Sequence, residues 1–273
     1  MNHLFRSKAP ITSEGWEEIE KEARRTLRAL LAARRVVDFK GPLGWGASDV
    51  EIGRADPIAS PPGAGDVQAR LRRIQPLVEL RIPFDMSRAE LDAIDRGARD
   101  PDLDAVTAAA REIAIAEDRA IFHGYKAAHI TGICEKRAGA AVPLGASHAD
   151  YPLAVATALT RMRDDGIEGP FSVVLNDQLY RDLSARTDQG YPILSHVQRL
   201  IDGDVVWAPG IEGGLVISQR GGDFELSVGQ DFSIGYLEHD TEKVRLYIEE
   251  SFTFLILTEE AAIPLSLEGG KKR

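Results

Sequence analysis

Residues 220–236, RGGDFELSVGQDFSIGY, and residues 243–257, KVRLYIEESFTFLIL, decide the fold class. In the second segment Val244, Leu246, Ile248, Phe252, Phe254 and Ile256 share one face of an extended chain. Arg245, Tyr247, Glu249, Ser251 and Thr253 take most of the other face. This alternation predicts a half-buried strand. Glu250 interrupts the apolar face, and Leu255 and Leu257 break the polar one, so cover on both sides is expected only near the strand's end. Upstream, Gly221, Gly222 and Gly229 separate short apolar runs at 215–217, 224–228 and 232–236, which predicts an antiparallel meander with tight turns. The C-terminal third therefore reads as a sheet, and no catalytic signature lies in it.

Working outward, 273 residues are enough for one large domain or two smaller ones with a core that needs no disulfide. Cys134 is the single cysteine and reads as a reduced, buried residue of a cytosolic protein. The start carries charges inside its apolar beginning, and no apolar run reaches membrane-spanning length, so secretion and membrane insertion are disfavoured. A formal net charge of -10 argues against bulk nucleic-acid binding.

Residues 1–11 read as a short arm. Thr12 or Ser13 can cap a helix whose Trp16, Ile19, Ala23, Leu27 and Leu30 form an apolar stripe, with Arg34 continuing the spacing. The loop at 41–46 lacks the spacing and the Lys-Ser/Thr of a nucleotide-binding loop and is read as a turn. Segments 50–52 and 67–74 flank a Pro- and Gly-rich tip, which predicts a two-stranded excursion that is marginal without a partner surface. Ser87 and Glu90 suggest a capping box opening a short helix. Leu103, Val106, Ala110, Ile113, Ala114, Glu117 and Ile121 mark the longest helix, an alanine-rich spine against the sheet. Asp150 is placed to cap the next helix, and strand and helix then alternate to about residue 215, as in a compact α/β lobe. Residues 186–192 read as a polar loop.

Candidate chemistry is sparse. His123 and His129 do not share a helical face, and Glu112 and Glu117 lack a Glu-x-x-His pair, so no metal site is expected. Ser172, Ser218 and Ser227 lack a nucleophile elbow, and Cys134 lacks a recognisable His and Asn context. Asp118 with Arg119 reads as an ion pair or subunit contact, and Asp188 as a solvated loop charge. A soluble hydrolase whose triad assembles only in space stays open as an alternative.

The C-terminal run, with VRLY at 244–247 and ESFTF at 250–254, closely resembles the corresponding region of encapsulin shell proteins. The resemblance extends over nearly the whole chain, through LFR at 4–6, GPLGW at 41–45, PLVELR at 76–81, IFHGY at 121–125, GIEGP at 166–170 and GYP at 190–192. It implies an α+β chain with the tailed-phage major-capsid fold, made of a peripheral domain, an axial domain and an extended loop. Carried onto this sequence, it implies an arm at 1–11, a lumen-facing helix at 12–40, an extended loop at 49–75, a peripheral domain with its spine helix at 76–149 and 215–268, an axial domain at 150–214, and a flexible tail at 269–273.

The same resemblance implies a non-enzymatic shell of sixty copies or a permitted multiple. The shell would enclose a cargo protein, a dye-decolorising peroxidase or a ferritin-like protein, that enters by a C-terminal targeting peptide. Cargo contacts are expected at Arg34, Asp38, Asp231, Ile234 and Leu246. A pore loop is expected at Arg186, Thr187, Asp188, Gln189, Gly190 and Tyr191, and assembly contacts at Arg70, Arg72 and Arg73. Some relatives bind flavin beside a Trp in the short helix after the strand that holds Phe84; Ala89 stands there in this sequence, so no cofactor is expected. A phage or prophage major capsid protein is the runner-up, with no scaffold or maturation segment visible in the 11-residue arm.

Overall fold

Helix α1 (Ser13–Leu30) begins one residue after Thr12, whose hydroxyl accepts a hydrogen bond from the Gly15 N–H at 3.1 Å. Its apolar stripe of Trp16, Ile19, Ala23, Leu27 and Leu30 is buried, while a separate helical turn, Ala33–Arg35, carries Arg34 beyond the helix end. The computed structural model describes residues 3–59, 61–63, 65–136, 139–145, 147–188 and 190–266. The expectations for Gln189 and for the tail at 269–273 lie outside the described residues.

Strand β1 (Asp38–Lys40) follows, then β2 (Asp49–Ile58) and β3 (Ala69–Pro76), which pair with each other and with no other described strand. Strand β4 (Val78–Ser87) leads into α2 (Arg88–Asp95) and the spine helix α3 (Asp104–His123). The predicted capping box does not form. Ser87 sits at the N-cap without a side-chain cap bond, and Glu90 accepts instead from the Asp102 N–H at 3.1 Å. Next come β5 (Val142–Pro143), α4 (Tyr151–Asp164), β6 (Phe171–Leu175), α5 (Asp177–Ala185), β7 (Thr187–Asp188), β8 (Tyr191–Pro192), α6 (Ile193–Gln198) and β9 (Val205–Trp207). Asp150 caps no part of α4 with its side chain; its carboxylate accepts from the Ser147 N–H in a capping box one turn earlier.

Strands β10 (Gly214–Ser218), β11 (Phe224–Val228), β12 (Ser233–His239), β13 (Lys243–Ile256) and β14 (Ala262–Ser266) complete the chain. They do not form the predicted meander. Phe252 pairs with Val78 of β4 on one side and Val228 of β11 on the other, so β11 and β12 lie end to end along the same edge of β13. The result is one long hairpin whose first arm is interrupted at 229–232. β10 belongs to a second sheet, ordered β5-β14-β10-β6-β9, and β4, β11, β12, β13 and β1 make up the first. The second sheet therefore takes strands from outside 150–214.

β13 is also more deeply set than its alternation predicts. Tyr247, Glu249 and Thr253 on the polar face are each buried, because helices cover one face while the arm, Arg81 and Gln230 cover part of the other. Ile248, Phe252 and Phe254 are buried on the helix side. Each such side chain contributes roughly 1.5–3 kcal/mol on leaving water, so the long hairpin is the natural platform for whatever packs on it.

Candidate functional site

The interruption at 229–232 leaves Asp231 and Phe232 outside the regular pairing, across from Glu250 and Ser251 of β13, between the Val228–Phe252 and Ser233–Glu249 pairs. Beside it runs a groove of about 390 Å³. Ala23, Arg24, Leu27, Arg28 and Leu31 of α1 and its end form one wall; Phe232, Ser233, Ile234 and Ile248 form the other. Leu4 and Arg6 of the arm close one side. The arm is held there because the Leu4 carbonyl accepts from the Tyr236 N–H at 2.9 Å, Arg6 lies over the Trp16 ring at 4.2 Å, and Arg6 pairs with Glu20. One residue earlier, the His3 ring stacks on Trp45 at 4.5 Å and its Nε2 lies 3.0 Å from buried Glu249.

At the end of the groove Arg34 is the hub. Its Nε donates to Glu117 Oε1 at 2.9 Å, Nη1 to Asp231 Oδ1 at 2.7 Å and Nη2 to Glu250 Oε2 at 3.1 Å. The guanidinium also lies against the rings of Phe232, at 4.7 Å, and Phe39, at 5.3 Å. Burial alone would lower its pKa, but Glu117, Glu250 and Asp231 together hold it above the ordinary arginine value. Glu117 and Glu250 are wholly buried. Burial, reinforced by the adjacent Glu117, pushes the Glu250 carboxyl well above the usual range, against the pull of Arg34. Asp118, next along α3, accepts from the Ala33 N–H at 2.9 Å and the Ala32 N–H at 3.1 Å; burial raises it to about 7. Asp118, read from the sequence as part of an ion pair or a subunit contact, instead clamps the backbone that presents Arg34.

Of the residues expected to contact cargo, Arg34, Asp231 and Ile234 line the groove together, and the other two lie elsewhere. Asp38 points to the turn before β11, where its carboxylate accepts from the Gly222 N–H at 2.6 Å. Parallel pairing of β1 with β11 carries it there. Leu246 is fully buried in the core behind the groove, and Ile248, two residues on along the same face, lines the groove in its place. Glu117, Glu250, Phe39 and Phe232 were missed. Glu250, breaking an apolar face, was the one visible signal.

Where a pore loop is expected, Thr187 pairs with Pro192 and Asp188 with Tyr191 in two short antiparallel strands. Tyr191 is exposed and Gly190 takes a positive φ of 88°. Among the assembly candidates, Arg73 is tied within its own hairpin to Asp56, while Arg70 and Arg72 stand exposed. The three serines have structural partners. Ser172 donates to Gln219, Ser218 to the Glu168 carbonyl at 2.6 Å and Ser227 to Glu225 at 3.0 Å. Among the described residues no helix is long and apolar enough to cross a membrane.

A family model described as "Encapsulating protein for peroxidase" matches residues 1–253. The chain belongs to the encapsulin shell protein family. The type 1 encapsulin shell protein of Rhodospirillum rubrum is 55% identical over 270 residues, covering 97% of this chain and 96% of that protein. That of Mycobacterium tuberculosis is 45% identical, covering 97% of this chain and 100% of its own. The solved virus-like particle of Pyrococcus furiosus resembles this encapsulin with a TM-score of 0.63 at 15% identity, over 92% of this chain and 99% of that one. The capsid of Myoviridae phage XM1 gives 0.57 at 14% identity, over 87% and 92%. These low identities show the capsid-like fold alone, whereas the full-length relatives are encapsulin shell proteins, so the phage-capsid alternative is the less supported.

Proposed function

We propose that this encapsulin closes with copies of itself into a hollow icosahedral nanocompartment in the cytoplasm and holds an enclosed protein through the groove beside Arg34. The observation that carries the shell reading is the β2–β3 hairpin. Its Leu71, Ile74, Val67 and Ile58 are about half exposed or more, and its strands pair with no other described strand. A ribbon of that kind needs a neighbouring surface, and exposed Arg70 and Arg72 are positioned to meet one. The division into peripheral domain, axial domain and extended loop follows the same reading. The β7–β8 hairpin, with Asp188, lines an opening on a symmetry axis. Chemistry belongs to the cargo rather than the shell. The family's description favours a peroxidase over a ferritin-like protein, and the cargo would enter by a C-terminal targeting peptide.

Deleting residues 53–70 tests this reading. Soluble subunits or small oligomers are the expected product, and complete particles by electron microscopy would overturn the hairpin's role in assembly. Mass spectrometry of protein copurifying with parent particles, compared with Phe232→Ala particles, tests the groove. Loss of the copurifying protein from otherwise normal shells is the expected result.

A further inference from the structure

Arg34 is one cation among three carboxylates. Glu117 Oε2 and Glu250 Oε2 approach the same nitrogen, Nη2, at 2.5 and 3.1 Å, and Asp231 Oδ1 takes Nη1 at 2.7 Å. Fully ionised, three carboxylates against one guanidinium would leave two negative charges uncompensated. The side chains of Glu117 and Glu250 are 0% exposed, whereas that of Asp231 is 45% exposed. Glu250 Oε1 is buried and meets no donor among the described residues. An ionised oxygen left bare in the interior costs far more than the same oxygen in a neutral carboxyl. The groups that face Glu250 are Glu117 from α3, Arg34 from the 33–35 turn and Asp231 from the break in the hairpin. Asp118 stands behind them on the Ala32 and Ala33 N–H groups, and Glu249, with His3 and Arg81, lies on the opposite face of β13. A proton is the cation that can balance this cluster from within, and the Glu117 and Glu250 carboxyls are in hydrogen-bonding contact with each other.

We infer that Glu250 and Glu117 hold one proton in common, a carboxyl donating to a carboxylate, and that this proton locks the break at 229–232 to the turn that presents Arg34. While it is held, one buried carboxylate and Asp231 share the guanidinium. When it leaves to water, both buried carboxylates bear on Arg34 and Asp231 becomes the third. Glu117 sits within α3 and Glu250 is paired to Leu80 of β4, so neither turns to solvent. Asp231 lies outside the regular pairing and already reaches water. Loss of the proton therefore expels Asp231, and with it Phe232, whose N–H donates to Asp231 Oδ1 at 2.9 Å and whose ring lies 4.7 Å from the guanidinium. Burial and then Glu117 hold Glu250 well above the ordinary carboxyl range, so the lock is closed through that range and loosens as pH rises beyond it. It acts within one subunit and requires no occupant in the groove.

The test compares parent protein with Glu250→Gln, which keeps the shape of the side chain without its ionisable group. Infrared difference spectra of the two should show the carbonyl stretch of one protonated carboxyl in the parent at about pH 6, where ordinary carboxyls are ionised, and none at about pH 9. Hydrogen exchange of peptides covering 229–232, corrected for the intrinsic rate, should rise about tenfold over that range in the parent and stay within about twofold in Glu250→Gln. A purely structural loss would shift exchange equally at every pH. No parent band at about pH 6 would mean that both carboxyls are ionised, and a band persisting at about pH 9 would mean a fixed proton; either overturns the inference. Parallel exchange profiles would disconnect the pair from the break and overturn the lock. Asp231→Asn, at a site that reaches water, serves if Glu250→Gln does not fold: removing a neighbouring negative charge should move the loss of the band to lower pH. An unchanged pH of loss would separate Asp231 from the pair and overturn the lock.

Discussion

Arg34 Nε lies 2.9 Å from Glu117 Oε1, tying the chain just past the first helix to the spine helix 83 positions later in the sequence. The contact makes Arg34 a structural hub as well as a groove residue. Removing it leaves Glu117 and Glu250 buried without their cation. Arg34→Ala should therefore lower unfolding free energy by about 3–5 kcal/mol, read as a shifted urea midpoint at constant slope. Arg34→Lys should lose less, because it keeps the charge and gives up the forked geometry. An unchanged midpoint for Arg34→Ala would show that the buried carboxyls need no cation.

The carboxyls behind Arg34 predict stability that declines toward neutral pH. Glu250 is raised by burial and then by Glu117; Asp118 is raised to about 7 by burial. In the unfolded chain both release their protons near about pH 4. Between that value and the folded pKa, the folded state binds more protons than the unfolded one, so stability falls as pH rises. The contribution is complete below about pH 4 and is lost through about 7 for Asp118. Glu250→Gln has no proton to lose and should flatten part of this slope. A thermal-midpoint profile parallel to the parent between about pH 5 and 8 would contradict it.

His123 acts in the opposite direction. Its Nε2 accepts from the Glu212 N–H at 2.8 Å, which requires the neutral ring at that nitrogen, and burial lowers its pKa. The unfolded histidine takes a proton near about pH 6.5. Stability from this contact is thus present above that value and lost as pH falls through the lower folded pKa. Hydrogen exchange at Glu212, corrected for the intrinsic rate, should rise between about pH 7 and 5 in the parent. The same change in His123→Asn would show that the histidine does not control it.

At Gly132 a Cβ would stand 2.2 Å from the Gly124 nitrogen and 2.4 Å from the His123 carbonyl carbon. Backbone cannot move aside as the tip of a side chain can. Gly132→Ala should destabilise the end of α3 by about 1–3 kcal/mol, seen as earlier unfolding with reduced particle yield. Parent-like yield and midpoint would mean that the 130–134 segment relaxes freely.

Repeated around a symmetry axis, the β7–β8 hairpin would turn one Asp188 into a ring of carboxylates that biases small ions. Asp188→Lys shells should assemble normally, admit a small anion faster and admit a small cation more slowly in stopped-flow measurements at low salt. Unchanged uptake of both probes would remove Asp188 from control of permeation.

Local periodicity and local chemistry made much of this encapsulin legible. The stripe from Trp16 to Leu30, the alternation from Val244, the spine helix and the unsupported 49–75 hairpin are each written in residues a few positions apart, where backbone geometry decides which side chains share a face. The order of its motifs also carried the family. Tertiary structure alone decided what those faces meet. Placing β10 in the second sheet, and β11 and β12 on one edge of β13, depends on pairings between distant segments that the period of a strand does not encode. Pairing of β1 with β11 likewise turns Asp38 away, while core depth rather than face puts Leu246 behind the groove and Ile248 in it. Glu250 is 216 positions from Arg34, and its oddity on an apolar face became intelligible only when folding placed that cation beside it, because a buried carboxyl is tolerated by virtue of its neighbours in space.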